Sequence, residues 1–278
     1  MEKEKLRVLA SSKETRKTFD AFYTFATENI TAYINKFDLD GKSLLTVGSS
    51  SDQVFNAALY GSDDITLVDL CPFTKDFYYL KLSALMSLNR LDFIDFFRNL
   101  NKLPKRTKYF KRVLPTLESL NSESADLWDC VFKTFKFGGM RNIMRPDTNL
   151  YRRDIMNFNP YLANDLKYER TKKSVENFVP TFILGDLRTT KFSRQFDNIW
   201  LSNVFQYTYE DIRNIAESMN EILDEHGLML LFYAYIDAQA DIVVKMLSDF
   251  DIKTTQIYND EITYCYGDAR VLTAGKRI

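Results

Sequence analysis

TVGSSSDQVFNAALYGSDDITLVDL, Thr46–Leu70, decides how this chain is read. An apolar run stops at Gly48, a helix-like stretch follows over Asp52–Gly61, and a second apolar run stops at an acid, Asp69. Strand, turn, helix and strand at such short intervals predict a βαβ unit of a parallel sheet. The turn itself, Gly48-Ser49-Ser50-Ser51-Asp52, has one glycine. A dinucleotide loop uses three, so that a pyrophosphate can press against the helix N-terminus. Asp52 at that place repels phosphate, and a ligand without phosphate but with a cationic group fits better. The turn also lacks the phosphate contacts a nicotinamide-dependent oxidoreductase needs.

Upstream, residues 13–37 repeat apolar and aromatic side chains at steps of three and four, which predicts one or two amphipathic helices in an N-terminal helical cap over 1–40. Downstream, PFTKDFYYLKLSALMSLN reads as a long helix with Pro72 in its first turn. From 91 to 180 the alternation pauses in a mainly helical, irregular insertion, with short helices at LDFIDFFRNL and SESADLWDCVFKTF. It resumes with strands at FVPTFILGDL, FDNIWLSNV and LMLLFYAY, a helix over TYEDIRNIAESMNEILDEHG that stops at Gly227, and a helix over AQADIVVKMLSDF. DIKTTQIYN and ITYCYGDARVLTAGK alternate as an antiparallel pair at the sheet edge. The expectation is a single α/β domain over 1–278, a doubly wound (Rossmann-like), mostly parallel sheet with an antiparallel edge strand, a cap and an insertion.

Composition adds boundaries. The 278 residues carry 37 Lys and Arg against 38 Asp and Glu, so no whole-chain field favours nucleic acid or an anionic membrane. Cys71, Cys130 and Cys265 lie far apart, and His226 is the only histidine, which predicts neither a metal site nor a disulfide framework. The N-terminal MEKEKLRVLASSKETRK lacks the apolar core of a signal peptide, and the longest apolar run, from Leu228, is too short to span a bilayer. These features set the expectation of a cytoplasmic protein without a transmembrane segment.

In an open parallel sheet, ligands bind beyond the carboxyl ends of the strands, near the point where strand order reverses. Four polar strand ends meet that condition: the Gly48, Ser49, Ser50 and Asp52 turn; Asp69 with Leu70; Asp186 with Leu187; and Ser202 with Asn203. Asp69 is placed to accept both hydrogen bonds of a ribose diol. Without a phosphate loop, this set describes a site for S-adenosyl-L-methionine. LLTVGSSSD, ITLVDL, FILGDL and FDNIWLSNVFQY, in that order, resemble the motifs of class I S-adenosylmethionine-dependent methyltransferases, and VLTAGK is similar to the reversed edge strand of that fold. This resemblance spans about 44–90 and 180–275, with Ser50 where a second glycine is usual. A narrower one, over about fifty residues from VGSSSD to DFIDFF, is to the 3-amino-3-carboxypropyl transferases that build betaine lipids.

The resemblance implies a transferase in which the Gly48 turn holds the methionine moiety, Asp69 the ribose, Asp186 or a neighbouring amide the adenine, and Ser202 or Asn203 the reacting end. Asn203 and Tyr207 are the catalytic candidates. Methyl transfer ranks ahead of aminocarboxypropyl transfer, and a non-catalytic cofactor-binding or interaction module stays as the third reading. Plainer alternatives remain for single residues: the turn as structure alone, Asp69 as a helix N-cap, Asp186 as the partner of Arg188. Between Lys102 and Arg153, twelve Lys and Arg face five Asp and Glu, an excess of seven. That reads either as a solvated face or as a lid for an acidic or phosphorylated acceptor, or for nucleic acid, through Tyr109, Phe110 and Tyr151. The stripe Phe93, Phe96, Phe97 reads as core.

Overall fold

The computed structural model describes residues 22–48, 50–100, 102–134, 144–145, 156–176, 178–257 and 269–276. Its main sheet contains β1 Ser43–Val47, β2 Asp64–Asp69, β3 Thr181–Leu184, β4 Phe196–Trp200, β5 Leu223–Ala234, β6 Ile252–Ile257 and β7 Ala269–Gly275. The strand order is β3-β2-β1-β4-β5-β7-β6. The first five strands run parallel, and β7 runs antiparallel to both β5 and β6. Strand order therefore reverses between β1 and β4, and the sheet is doubly wound and Rossmann-like, with its antiparallel strand pair at one edge.

The helices are α1 Asp52–Leu59, α2 Thr74–Ser87, α3 Arg90–Arg98, α4 Leu103–Leu120, α5 Ser122–Thr134, α6 Asp165–Val175, α7 Ile212–Ile222 and α8 Asp237–Met246. The chain divides into two compact units. The first takes Met1–Thr27, Gly48–Phe55 and Leu70–Glu176; the second takes Glu28–Val47, Asn56–Asp69 and Asn177–Ile278. These boundaries cut across the expected cap and insertion: residues 28–40 belong with the sheet, whereas α2 and the Gly48 turn belong with the helices of the insertion.

In the sheet unit, Leu45, Val68, Ile199, Leu231 and Leu272 share one core with Ile212, Ile215, Ala216 and Met219 of α7. Those four recur at helical spacing, so one stripe of α7 is buried. The middle of β1, Leu44–Thr46, is wholly buried, as an interior parallel strand requires. At its amino end, the Ser43 amide and hydroxyl donate to Asp197 at 2.9 and 2.7 Å, which fixes β1 against β4.

In the helical unit, α2 is buried on nearly every side because α4 and α5 both pack on it. Trp128 Nε1 donates to the Asp76 carbonyl at 2.8 Å, and Ser124 donates to the Asp76 carboxylate at 2.8 Å. Phe93, Phe96 and Phe97 are fully buried, as their spacing predicts. No helix among the described residues is long and apolar enough to cross a membrane.

Four elements differ from expectation. Residues 22–37 do not form amphipathic helices: Phe22–Tyr23 is a short strand paired with Met144–Arg145, followed by one helical turn, Ile30–Tyr33, and a 3-10 turn, Ile34–Lys36. The aromatic spacing serves separate partners instead, Phe25 packing on Phe93 and Phe97, and Tyr33 and Phe37 on Trp200. Residues 1–21 of the expected cap lie outside the described residues. Pro72 precedes α2 rather than opening it. The helix α4 fills a stretch read as irregular, because Pro104 sits at its start and Pro115 inside it. Finally, α7 stops at Ile222 and not at Gly227, because Leu223 pairs with Phe196 as the first residue of β5.

From there the register jumps. Phe196 faces Leu223 but Asn198 faces Leu228, so Asp224–Gly227 bulge out of the ladder. A Cβ on Gly227 would sit 2.8 Å from the Leu223 side chain and 2.9 Å from the Asp197 carbonyl. Gly227→Ala is expected to destabilise the protein by about 1–3 kcal/mol, the usual cost of overpacking, read as a lower urea midpoint with an unchanged slope.

Candidate functional site

The turn after β1 is anchored from inside the helical unit. Asp52 is fully buried, and four donors reach its carboxylate. Lys81 Nζ and the Tyr161 hydroxyl donate to Oδ1 at 2.5 and 2.6 Å; the Ala26 amide and the Ser50 hydroxyl donate to Oδ2 at 2.5 and 3.0 Å. Lys81, also fully buried, donates a second bond to the Ser50 carbonyl at 2.8 Å. Its ammonium lies 4.9 Å from the centroid of the Phe25 ring and 5.7 Å from those of Phe77 and Phe97, within the range of cation–π attraction. Burial pulls Lys81 down to about 8, and Asp52 opposes that shift. Tyr161 is driven well above the usual phenol range, first by burial and then by Asp52.

A carboxylate with two oxygens and about four acceptor sites is filled by these donors. Asp52 is thus turned inward to tie Gly48–Asp52 down, and it is not a side chain that faces a ligand. Ser50 and Ser51 are buried as well, and Ser51 takes the left-handed conformation (φ 64°) that the tight entry to α1 imposes. Ser49 lies outside the described residues. Lys81 was not singled out from sequence. Its signal is a lone cation among aromatic and leucine residues in FYYLKLSAL, which a buried acid must offset.

In the sheet unit, the strand ends carry the other expected residues. Asp69 closes β2 half-buried, with Leu70 exposed beyond it, and the Asp69 carbonyl accepts from the Gly185 amide at 3.0 Å. The N-cap of α2 is Phe73, without a side-chain bond, so Asp69 does not cap that helix. Asp186 follows β3 and turns its carboxylate onto Arg188: the Arg188 amide and Nε donate to Oδ1 at 2.9 Å, and its guanidinium reaches Oδ2 at 2.5 Å. These bonds hold Asp186 below the usual carboxylate range. The side chain of Leu187 is part of the core.

Beyond β4, Ser202 is buried with φ 58°, a conformation that a non-glycine residue holds only when its surroundings impose it. Its carbonyl accepts the Tyr233 amide at 2.8 Å, and its hydroxyl contacts Glu28 Oε1 and lies 3.3 Å from Asn203 Oδ1. Asn203 is half-buried and leads into a 3-10 turn, Val204–Gln206, that ends at Tyr207, 61% exposed. Glu28, only 2% exposed, accepts from the Tyr33 hydroxyl at 2.9 Å, and no Lys or Arg of the described residues pairs with it. Burial lifts its carboxyl from 4.5 to about 7. Glu28 was not foreseen. Its signal is one acid within the apolar FATENITAY, masked by the expectation of a helix.

Part of the basic stretch is spent on structure among the described residues. Lys105 and Arg112 of α4 pair with Asp95 and Asp92 at 2.8 and 2.6 Å, and buried Arg106 donates to the Leu100 and Phe132 carbonyls. Tyr109 and Phe110 are buried, so neither is a stacking surface for bases; Tyr151 lies outside the described residues. His226 is exposed at the amino end of β5, away from the strand ends considered above.

Comparison with protein-family models and with curated sequences finds no match to either. Among solved structures, the chain is similar to the glycopeptide N-methyltransferase MtfA complexed with S-adenosyl-L-homocysteine, at 11% identity over 97% of this chain and 96% of that one, with a TM-score of 0.47. It is also similar to the N-methyltransferase NodS from Bradyrhizobium japonicum WM9 in complex with S-adenosyl-L-homocysteine (11%, 100% and 98%, 0.44). A third is magnesium protoporphyrin IX methyltransferase from Synechocystis PCC 6803 with bound SAM (10%, 88% and 76%, 0.39). The fold class of this chain stands on its own strand order.

Two outcomes are expected. Lys81→Met leaves Asp52 buried without its cation and should cost about 3–5 kcal/mol in urea unfolding, whereas Asp52→Asn in the same chain should restore part of that loss. For Glu28, the raised carboxyl binds a proton more tightly in the folded chain. That stability is full below the ordinary value of 4.5 and is lost as pH rises toward about 7. Between pH 4.5 and 7.5 the wild type should lose on the order of 2–3 kcal/mol relative to Glu28→Gln; parallel pH profiles would contradict this.

Proposed function

We propose that this protein is an S-adenosylmethionine-dependent transferase, with methyl transfer as the first reading. The observation that carries the proposal is an acid, Asp69, closing the second strand of a doubly wound sheet ordered β3-β2-β1-β4-β5-β7-β6. An acid there suits a ribose diol, and a first turn with one glycine suits a cofactor without phosphate. Gly48, Ser49 and Ser50 would offer main-chain groups to the methionine moiety, with Asp52 acting on the turn from behind. The adenine would lie near Asp186 and Leu187, recognised through main-chain amides since the Asp186 carboxylate serves Arg188. Ser202 and Asn203 would meet the reacting end.

The sulfonium activates its attached carbons, so the protein's task is to align one of them with the acceptor and exclude water. Methyl transfer leaves S-adenosylhomocysteine; the alternative, aminocarboxypropyl transfer, leaves methylthioadenosine. An acidic or phosphorylated acceptor is supported, among the described residues, by the exposed Lys102, Lys108 and Lys111.

Calorimetric titration with S-adenosylhomocysteine tests the reading. Saturable micromolar binding is expected, weakened by about 1–3 kcal/mol in Asp69→Ala through the lost hydrogen bonds to the diol. Folded wild type that binds neither S-adenosylhomocysteine nor methylthioadenosine would overturn it and leave a non-catalytic module.

A further inference from the structure

A buried carboxyl group in the sheet unit has no structural debt to discharge. Glu28 is withdrawn from water beside the end of β4, yet its partners are two hydroxyls, those of Tyr33 and Ser202, and not a cation. A stabilising role would call for a cation, as Asp52 has in Lys81, or for several amides. The residue it touches is strained: Ser202 holds φ 58° immediately before Asn203. The contacts run in series from Tyr33 to Glu28 Oε2, from Glu28 Oε1 to the Ser202 hydroxyl, and from there to half-buried Asn203.

The titratable neighbours of this chain are tyrosines. Tyr33 comes from the same segment, and its ring stands edge-on to Trp200 of β4 and Tyr233 of β5. Tyr235, after β5, packs on Tyr233, whose hydroxyl accepts the Asn29 amide at 3.1 Å. Burial, with Glu28 beside it, drives the Tyr33 hydroxyl well above the usual phenol range, whereas burial lifts the Glu28 carboxyl to about 7.

We propose that Glu28 is the proton acceptor of the transfer, reached through the Ser202 hydroxyl at the reacting end of the cofactor. The inference rests on the transferase reading above. As the acceptor's nucleophilic atom bonds to the methyl carbon, the sulfur–carbon bond breaks and its electron pair stays on sulfur. The acceptor's proton passes to Ser202 Oγ while the Ser202 hydrogen passes to Glu28, which goes from carboxylate to carboxylic acid. The acceptor is then of a class that loses a proton on attack, an amine, hydroxyl or thiol, and not a thioether. Glu28 is in this sense a positioning and proton-holding residue, and Ser202 is the one that meets the acceptor. A carboxyl titrating near 7 is matched to that task.

The test needs no acceptor. S-adenosylmethionine carries a sulfonium charge that S-adenosylhomocysteine lacks, so a sulfonium beside this cluster drives the proton off Glu28. Calorimetry at pH 7 in phosphate and in Tris reads the protons exchanged. S-adenosylmethionine should release about half a proton more than S-adenosylhomocysteine in the wild type, as a group titrating near 7 allows. The difference should vanish in Glu28→Gln. Equal proton release by the two ligands, or a difference that survives in Glu28→Gln, would overturn the proposal and leave the transferase reading standing. If neither ligand binds, that reading fails first. Should Glu28→Gln not fold, the Glu28 carboxyl signal of the wild type, followed by 13C NMR against pH, decides: its midpoint should drop by at least one pH unit with S-adenosylmethionine and stay put with S-adenosylhomocysteine, and an unmoved midpoint in both would refute the proposal.

Discussion

Asp52 and Lys81 meet at 2.5 Å with neither side chain exposed, and the shape of the turn after β1 depends on that meeting. Taking both charges out of water is costly, and their mutual attraction offsets the cost only with good geometry and further hydrogen bonds. The helical unit supplies these: a phenol from Tyr161, a main-chain amide from Ala26, a hydroxyl and a carbonyl from Ser50, and three phenyl rings around the ammonium. A glycine-rich phosphate loop achieves its shape through conformational freedom. Here Ser50 and an internal ion pair fix it, and Ser51 takes the left-handed conformation.

Asp52 and Glu28, both buried acids, make a useful contrast. Asp52 is filled with donors, one of them a full cation, and its chemistry is finished within the fold. Glu28 has hydroxyl donors only, and burial lifts it to about 7, where a small change in nearby charge changes its protonation. Both are invisible to solvent, and only their partners separate a structural carboxylate from one poised to exchange a proton.

The described part of the basic stretch shows that charge counted along a sequence is in part used inside the fold. An excess of seven positive charges between Lys102 and Arg153 looks like a binding face. Two cations of α4 answer Asp92 and Asp95 of α3, a third is buried to hold carbonyls, and the aromatic residues between them face the core. The acids that neutralise α4 lie outside the counted window, because helices adjacent in space bring together residues ten to twenty positions apart.

Strand positions, their parallel sense and the reversed edge strand were legible in the sequence, because apolar runs of four to eight residues ending in Gly48, Asp69, Asp186 and Ser202 are local signals that burial on both faces enforces. So were the helices α1, α2, α3, α5, α7 and α8 and the Phe93 stripe. Asn89 accepts from the Asp92 amide at the start of α3, and Asn164 from the Lys167 amide at the start of α6; both are local caps that the reading missed, along with α6 itself. Tertiary structure alone decided what each acid does. A carboxylate's role depends on which donors reach it, and those of Asp52 come from positions as far off as Tyr161, those of Glu28 from as far as Ser202. Where α7 ends was decided the same way, by a pairing of Leu223 with Phe196 that outweighed the local preference to continue to Gly227.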